Sequence, residues 1–182
     1  MRYEIRIAGT GGQGAVLASI LLAEAAFQED KYVAQSQSYG AQQRGGTTKS
    51  EVIIDTTPIT YAKIQSPNLV LVMAQPALNK FADDVEDDTI LLVDEDVDPK
   101  NRDGAIAYPI RKTAEEELKN PQAANIISLA LINEHLQLVD NDTLDEAIQD
   151  HFSHRHWEEN REALAAGRRL YGEKHERELL TC

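Results

Sequence analysis

The chain has 182 residues, with 18 basic and 31 acidic side chains and a formal net charge of −13. That length suits one domain able to bury a core unaided, and the acidity argues against nucleic acid, whose affinity rests on phosphate neutralisation by Lys and Arg. A single cysteine, Cys182, excludes an internal disulfide and a thiolate-held metal or iron–sulfur cluster. With no apolar run of about 18 residues and no signal-peptide pattern, no membrane span is expected and the expected location is cytoplasmic.

In chain order, residues 3–8 alternate and run directly into Gly9-Thr10-Gly11-Gly12-Gln13-Gly14, which predicts a strand followed by a glycine turn. Residues 15–28 are rich in Ala and Leu without a breaker and predict a helix, apolar around nearly its whole circumference and therefore sandwiched. Second and third strands are expected at 31–37 and 50–55, the second strand completing the βαβ start of an open α/β sheet. The polar segment between them is too short for a crossover helix, so these strands are expected to pair antiparallel, which makes the sheet mixed. The continuous apolar run 68–73 predicts a central strand covered on both faces. A short helix at 76–81, a strand at 89–93 and a last short strand at 105–108 follow. Between Asp83 and Asp98 lie nine acidic residues and no basic one, read as a solvated loop around a strand.

Beyond Arg111 the chain reads as helical. Asn120 and Pro121 form a cap with proline at the first helical position, opening a buried helix over 122–136. Thr143-Leu144-Asp145-Glu146 reads as a capping box for the next helix. From 153 to 172 charges alternate at helical spacing, which predicts a surface or partner-facing helix in which Arg168 is dispensable; the last ten residues are expected to fray. The fold class is thus α/β, a mixed β-sheet with flanking helices and a helical C-terminal part. The expected division is an α/β domain over 1–150 and a charged helical tail over 151–182, either in the same domain or facing a partner.

Seven of the ten glycines precede residue 47. Gly9, Gly11 and Gly14 satisfy the dinucleotide fingerprint, yet the second strand ends in Gln35-Ser36-Gln37-Ser38, without the acidic residue that would bind ribose hydroxyls. Binding of NAD is therefore disfavoured, and a purely structural glycine turn stands beside an anion-binding or partner-docking one. Gln13 adds an amide able to hydrogen-bond a ligand or a facing chain. Arg44-Gly45-Gly46-Thr47 can form a backbone nest beside a guanidinium, a receptor for phosphate or carboxylate; the alternative is a tight turn with Arg44 paired to a surface acid. Tyr39 is read as a stacking or packing residue, and Gln42 and Gln43 as orienting donors and acceptors. All five histidines lie at 135 or later, and the spacing of His151, His154 and His156 matches no metal cluster. No catalytic residue and no metal ligand is assigned in this chain. By itself it offers no complete catalytic constellation and reads as part of a site.

The pair Gly9-Thr10-Gly11-Gly12-Gln13-Gly14 and Ser38-Tyr39-Gly40-Ala41-Gln42-Gln43-Arg44-Gly45-Gly46 resembles the gamma subunit, or gamma domain, of 2-oxoacid:ferredoxin oxidoreductases. The resemblance continues through 50–55, Pro67-Asn68-Leu69-Val70 and Ala124-Asn125-Ile126-Ile127, and covers roughly residues 3–150. It implies a subunit of an enzyme that decarboxylates a 2-oxoacid oxidatively with coenzyme A, forming acyl-CoA and passing electrons to ferredoxin. Thiamine diphosphate, magnesium and iron–sulfur clusters are then expected in partner subunits, none bound by this chain alone, and the two glycine loops are expected either to contact coenzyme A phosphates or to hold loops of the thiamine-bearing subunit. The expected contact residues are Gly9, Gly11, Gly12, Gln13, Gly14, Ser38, Tyr39, Gly40, Gln43, Arg44, Gly45, Gly46 and Thr47, with Arg44 dominant. The expected partners are the thiamine-bearing and other subunits and, for the isolated chain, a second copy. The wording around Tyr39 is more similar to the 2-oxoglutarate type than to the pyruvate type. Ala41 stands where the family often has proline, and the segment after His151 matches no family motif. The rival reading is a free-standing nucleotide-binding module or sensor.

Overall fold

A computed structural model describes residues 1–39, 46–83, 85–102 and 104–181. Its centre is a six-stranded sheet in the order β2-β3-β1-β4-β5-β6. The strands are β1 (Arg2–Thr10), β2 (Tyr32–Tyr39), β3 (Thr47–Asp55), β4 (Leu69–Val72), β5 (Ile90–Asp94) and β6 (Ile106–Tyr108). β3 runs antiparallel to both β1 and β2, whereas β1, β4, β5 and β6 are mutually parallel. The mixed sheet and the antiparallel β2–β3 pair therefore match the expectation. β3 also inserts between β2 and β1, an order that a simple βαβ opening does not have.

The alternation in β1 sorts its side chains. Ile5 and Ile7 join the larger core under α1 (Ala15–Gln28), α4 (Ala124–Leu136) and α5 (Asn141–His151), while Ala8 joins the smaller core under α2 (Gln75–Phe81). β4 needs no alternation: Leu69 and Leu71 face one core, Val70 and Val72 the other, and all four are fully buried. Each such side chain contributes about 1.5–3 kcal/mol relative to exposure, and this two-sided burial is what the unbroken apolar run encodes. On the α2 side Arg6 is 5 % exposed, donating from Nε to Glu51 at 2.8 Å and from Nη1 to the Phe81 carbonyl at 2.9 Å. The Asn68 carboxamide accepts from the Glu4 amide at 2.7 Å and fastens the entry to β4 onto β1.

The chain after β6 differs from its sequence reading in detail. α3 (Ile110–Lys112) passes into a wider π-helical turn, Thr113–Glu117. Asn120 does cap, its side chain accepting from Gln122 N, but the first turn it caps is the 3-10 turn Pro121–Ala123 ahead of α4. α5 begins before the expected capping box, with Leu144 N already bonded to the Asp140 carbonyl at 3.0 Å, so Thr143 lies inside the helix. The cause is Asn133, 1 % exposed, whose amide group bonds both backbone groups of Val139 and the side chain of Asn141. That brace sets the turn and starts the helix early. α6 (His154–Thr181) runs on through the residues expected to fray. Its Ala163, Leu164, Ala166 and Leu170 belong to the larger core. Arg168, expected to be dispensable, ties α6 to α5 through Asp145 at 2.5 Å. Among the described residues no helix is long and apolar enough to cross a membrane.

Candidate functional site

The glycine turn closes the C-terminal end of β1, where β1 and β4 part company. Successive connections leave the sheet in opposite directions there, the place at which open α/β sheets form a crevice. Gly14 is the N-cap of α1 with φ +73, and a Cβ built on it would sit 2.5 Å from Asn125 Nδ2 and 2.8 Å from Asn125 Cβ. Glycine is required there twice over, by the left-handed backbone and by the approach of α4. A Cβ on Gly9 would lie 2.7 Å from Gln13 Oε1.

Gln13 is the reason for that contact. Its Oε1 accepts from the Thr10 amide at 2.7 Å and the Thr10 hydroxyl at 3.1 Å, while Nε2 donates to the Met73 carbonyl at 3.1 Å. The amide read from sequence as available to a ligand is instead engaged within the chain, clamping the turn to the end of β4. The turn's own amides are partly engaged as well: Gly11 N donates to the Gly46 carbonyl at 2.9 Å and Gln13 N to the Thr10 carbonyl at 3.2 Å. α1 has no side-chain cap, and its first helical bond runs from Ala18 N to the Gly14 carbonyl at 3.0 Å. The amides of Ala15, Val16 and Leu17 therefore point out of the helix with its positive dipole end, unpaired among the described residues.

The two sequence motifs meet here. Gly9 registers with Thr48 and Thr10 with Thr47, and the Gly11–Gly46 bond extends that ladder into the turn. Lys80 of α2 donates to Thr47 Oγ1 at 3.2 Å and stands 5.2 Å from the Phe81 ring centroid, which puts a cation beside the second motif. Of the expected contact residues, Gly9, Gly11, Gly12, Gln13, Gly14, Ser38, Tyr39, Gly46 and Thr47 are thus gathered around the end of β1 and its neighbours. Gly40, Gln43, Arg44 and Gly45, with Ala41 and Gln42, lie outside the described residues.

Two hollows flank the turn. One, of about 440 Å³, lies between Gly11, Gly12 and Gly14, the apolar α1 residues Val16, Leu17 and Ile20, and Tyr39, with Thr48 and His151 at its margin. Tyr39 is 65 % exposed and lines this hollow rather than packing in the core. His151 Nδ1 lies 3.0 Å from Glu24 Oε2. The other, of about 240 Å³, is bounded by Gly12, Gln13, Met73, Asp94 and Arg111. Asp94 corrects the reading of the acidic stretch: it is the last residue of β5 and 2 % exposed. Its oxygens accept from the amides of Arg111 at 2.8 Å and Asp96 at 3.1 Å. Burial pushes its pKa up against the opposing pull of the Arg111 amide and guanidinium. Its position at the carboxyl end of a parallel strand was the available signal; its surroundings of eight other acids concealed it. Among the described residues no group of three or more His, Cys, Asp or Glu side chains is placed to hold a metal ion.

Comparison with known proteins bears on this arrangement directly. The family model described as pyruvate ferredoxin/flavodoxin oxidoreductase matches residues 4–170. The chain is 38 % identical over 180 residues to 2-oxoglutarate synthase subunit KorC of Methanothermobacter marburgensis, covering 93 % of this chain and 97 % of that protein. It is 32 % identical over 171 residues to the pyruvate/ketoisovalerate oxidoreductases common subunit gamma of Pyrococcus furiosus, covering 88 % and 92 %. The crystal structure of the keto/oxoacid ferredoxin oxidoreductase gamma subunit from Geobacter sulfurreducens superposes with a TM-score of 0.83 at 34 % identity, covering 94 % of this chain and 97 % of that one. The mixed sheet, the turn built on Gly9–Gly14 and the family match over residues 4–170 agree, and the chain belongs to the pyruvate ferredoxin/flavodoxin oxidoreductase family.

Proposed function

We propose that the chain acts as the gamma subunit of a 2-oxoacid:ferredoxin oxidoreductase complex, with 2-oxoglutarate as the favoured substrate. The higher identity to a 2-oxoglutarate synthase subunit than to a pyruvate/ketoisovalerate one supports that choice of substrate. In this reading the complex decarboxylates the 2-oxoacid, transfers the acyl group to coenzyme A and passes electrons to ferredoxin. Thiamine diphosphate, magnesium and iron–sulfur clusters reside in the partner subunits. This chain supplies a rigid face: the outward amides at the start of α1, the Gly46–Thr47 segment and the hollow beside Tyr39. That face receives either coenzyme A phosphates or a loop of the thiamine-bearing subunit, and Arg44 supplies its dominant charge.

The observation that carries the reading is the convergence of the two motifs through the Gly11–Gly46 bond at an uncapped helix start. A nucleotide-binding module acting alone is disfavoured because β2 ends without an acidic residue and is separated from β1 by β3. The test is co-purification from the native host followed by 2-oxoacid- and coenzyme A-dependent dye reduction. Arg44→Ala is expected to cut assembly or turnover sharply. Arg161→Ala, at an exposed residue paired one turn away with Glu158, is the control and is expected to leave both unchanged. Equal effects of the two substitutions would overturn the assignment, as would recovery of the chain alone with a bound nucleotide.

A further inference from the structure

The two edges of the sheet are unlike. β6 is three residues long, and Lys174 of α6 donates to the Ala107 carbonyl within it at 3.2 Å. β2 is eight residues long and, among the described residues, is paired on one side only. Its register with β3 is unbroken from Tyr32↔Asp55 to Tyr39↔Thr48, so no bulge turns it away from a partner. Residues 32–39 include no charged side chain and no proline, the devices by which exposed edges resist pairing. An exposed tyrosine stands at each end of the strand: Tyr32 is 47 % exposed and Tyr39 65 %. On a chain of net charge −13, this neutral strand is where a second copy approaches without like charges meeting.

We propose that β2 is the interface between two copies of this chain, pairing antiparallel with the same strand of the second copy about a two-fold axis normal to the sheet. The symmetry restricts the register. Directly opposed residues must lie on the same side of the joined sheet, so the numbers of each pair must sum to an even value. An axis through Gln35 pairs residues 32–38 throughout: Tyr32 meets Ser38, Val33 meets Gln37 and Ala34 meets Ser36. That register leaves Tyr39 over the hollow beside the glycine turn, so both surfaces are usable at once. The inference does not depend on the proposed function.

The test uses the full chain with Cys182→Ser, which leaves no other cysteine. Ala34→Cys and Ser36→Cys are oxidised separately and as a mixture. A covalent dimer is expected in the mixture and not from either variant alone, because each residue opposes the other. By sedimentation the wild type is expected to show the mass of two chains. Ala34→Lys with Ser36→Lys is expected to reduce it to one chain with unchanged circular dichroism, since like charges then oppose each other twice. Ala34→Glu with Ser36→Lys is expected to restore the doubled mass. A wild type that sediments as one chain overturns the proposal, as does a doubled mass indifferent to these charges. Cross-linking of Ser36→Cys to a different subunit in the purified complex, with a single-chain mass in isolation, overturns it too.

Discussion

Removing the Gln13 amide tests whether the glycine turn is held from within. Gln13→Ala deletes an oxygen that accepts from both Thr10 donors, at 2.7 and 3.1 Å, and a nitrogen that donates to the Met73 carbonyl at 3.1 Å. A neutral hydrogen bond contributes about 0.5–1.5 kcal/mol net, and because this site is half-buried water replaces part of what is lost, so the expected cost is about 1–2 kcal/mol. With a urea slope of about 2 kcal/mol/M, the unfolding midpoint falls by roughly 0.5–1 M. Gln13→Glu sharpens the test. The carboxylate keeps the acceptor toward Thr10 but turns an oxygen toward the Met73 carbonyl, where only a donor fits. Its folded pKa is therefore raised: the protonated acid donates, and stability present at low pH is lost as pH rises through that pKa. Urea midpoints at pH 4.5 and pH 7.5, each referenced to wild type, should show a larger deficit at the higher pH. A Gln13→Ala variant within about 0.3 kcal/mol of wild type, or a Gln13→Glu deficit flat with pH, would refute the clamp, since a loss below the range of one hydrogen bond leaves nothing for it to explain.

Gly14→Ala combines left-handed backbone strain with a Cβ 2.8 Å from that of Asn125, and should cost about 2–4 kcal/mol in chemical denaturation. Two glycines of α6, five positions apart, should respond with opposite signs. Gly167→Ala drives a methyl to 2.6 Å from the Ile127 carbonyl and costs about 1–3 kcal/mol, whereas Gly172→Ala meets nothing within 4 Å and gains about 0.5–1 kcal/mol in melting experiments. Asp94→Asn should fare progressively better against wild type as pH rises from 4 to 7. The raised folded pKa of Asp94 means that its contribution is present below the unfolded value and lost on ionisation; a difference constant over that range would remove burial as the cause.

The fold was legible wherever one local signal decided the outcome. The unbroken run in β4 could only be a strand covered on both sides, and the short link after β2 could only lead to an antiparallel neighbour. What escaped depended on partners distant in sequence. The start of α5 is set by Asn133, eight residues before Asn141, and its side-chain bonds outweigh an apparently good capping box at Thr143. The burial of Asp94 follows from the strand pairing of β5 with β4 and β6, which composition averages away. At the site, glycine positions announced a special turn, and the pairing of Gly9 with Thr48 brought the second motif to it. The direction in which Gln13 points is not a local property, because its donor group is satisfied by Met73, sixty residues on.

That same long-range geometry explains why a chain carrying the spacing of a dinucleotide fingerprint does other work. In a dinucleotide fold the second strand lies beside the first, and an acid at its end reaches the ribose of a nucleotide whose phosphates rest on the glycine turn. Here β3 lies between them, so the end of β2 stands one further strand away, about 4.8 Å beyond where it would be needed. An acidic residue at Ser36 or Ser38 would stand too far from a ribose whose phosphates rested on the turn. β2 ends instead in Ser38 and Tyr39, and Tyr39 lines a hollow walled by Val16 and Ile20. The inserted antiparallel strand and the glutamine in the turn act at one place: β3 carries the end of β2 away from the glycine turn, and Gln13 braces that turn from within while the first amides of α1 stay turned outward.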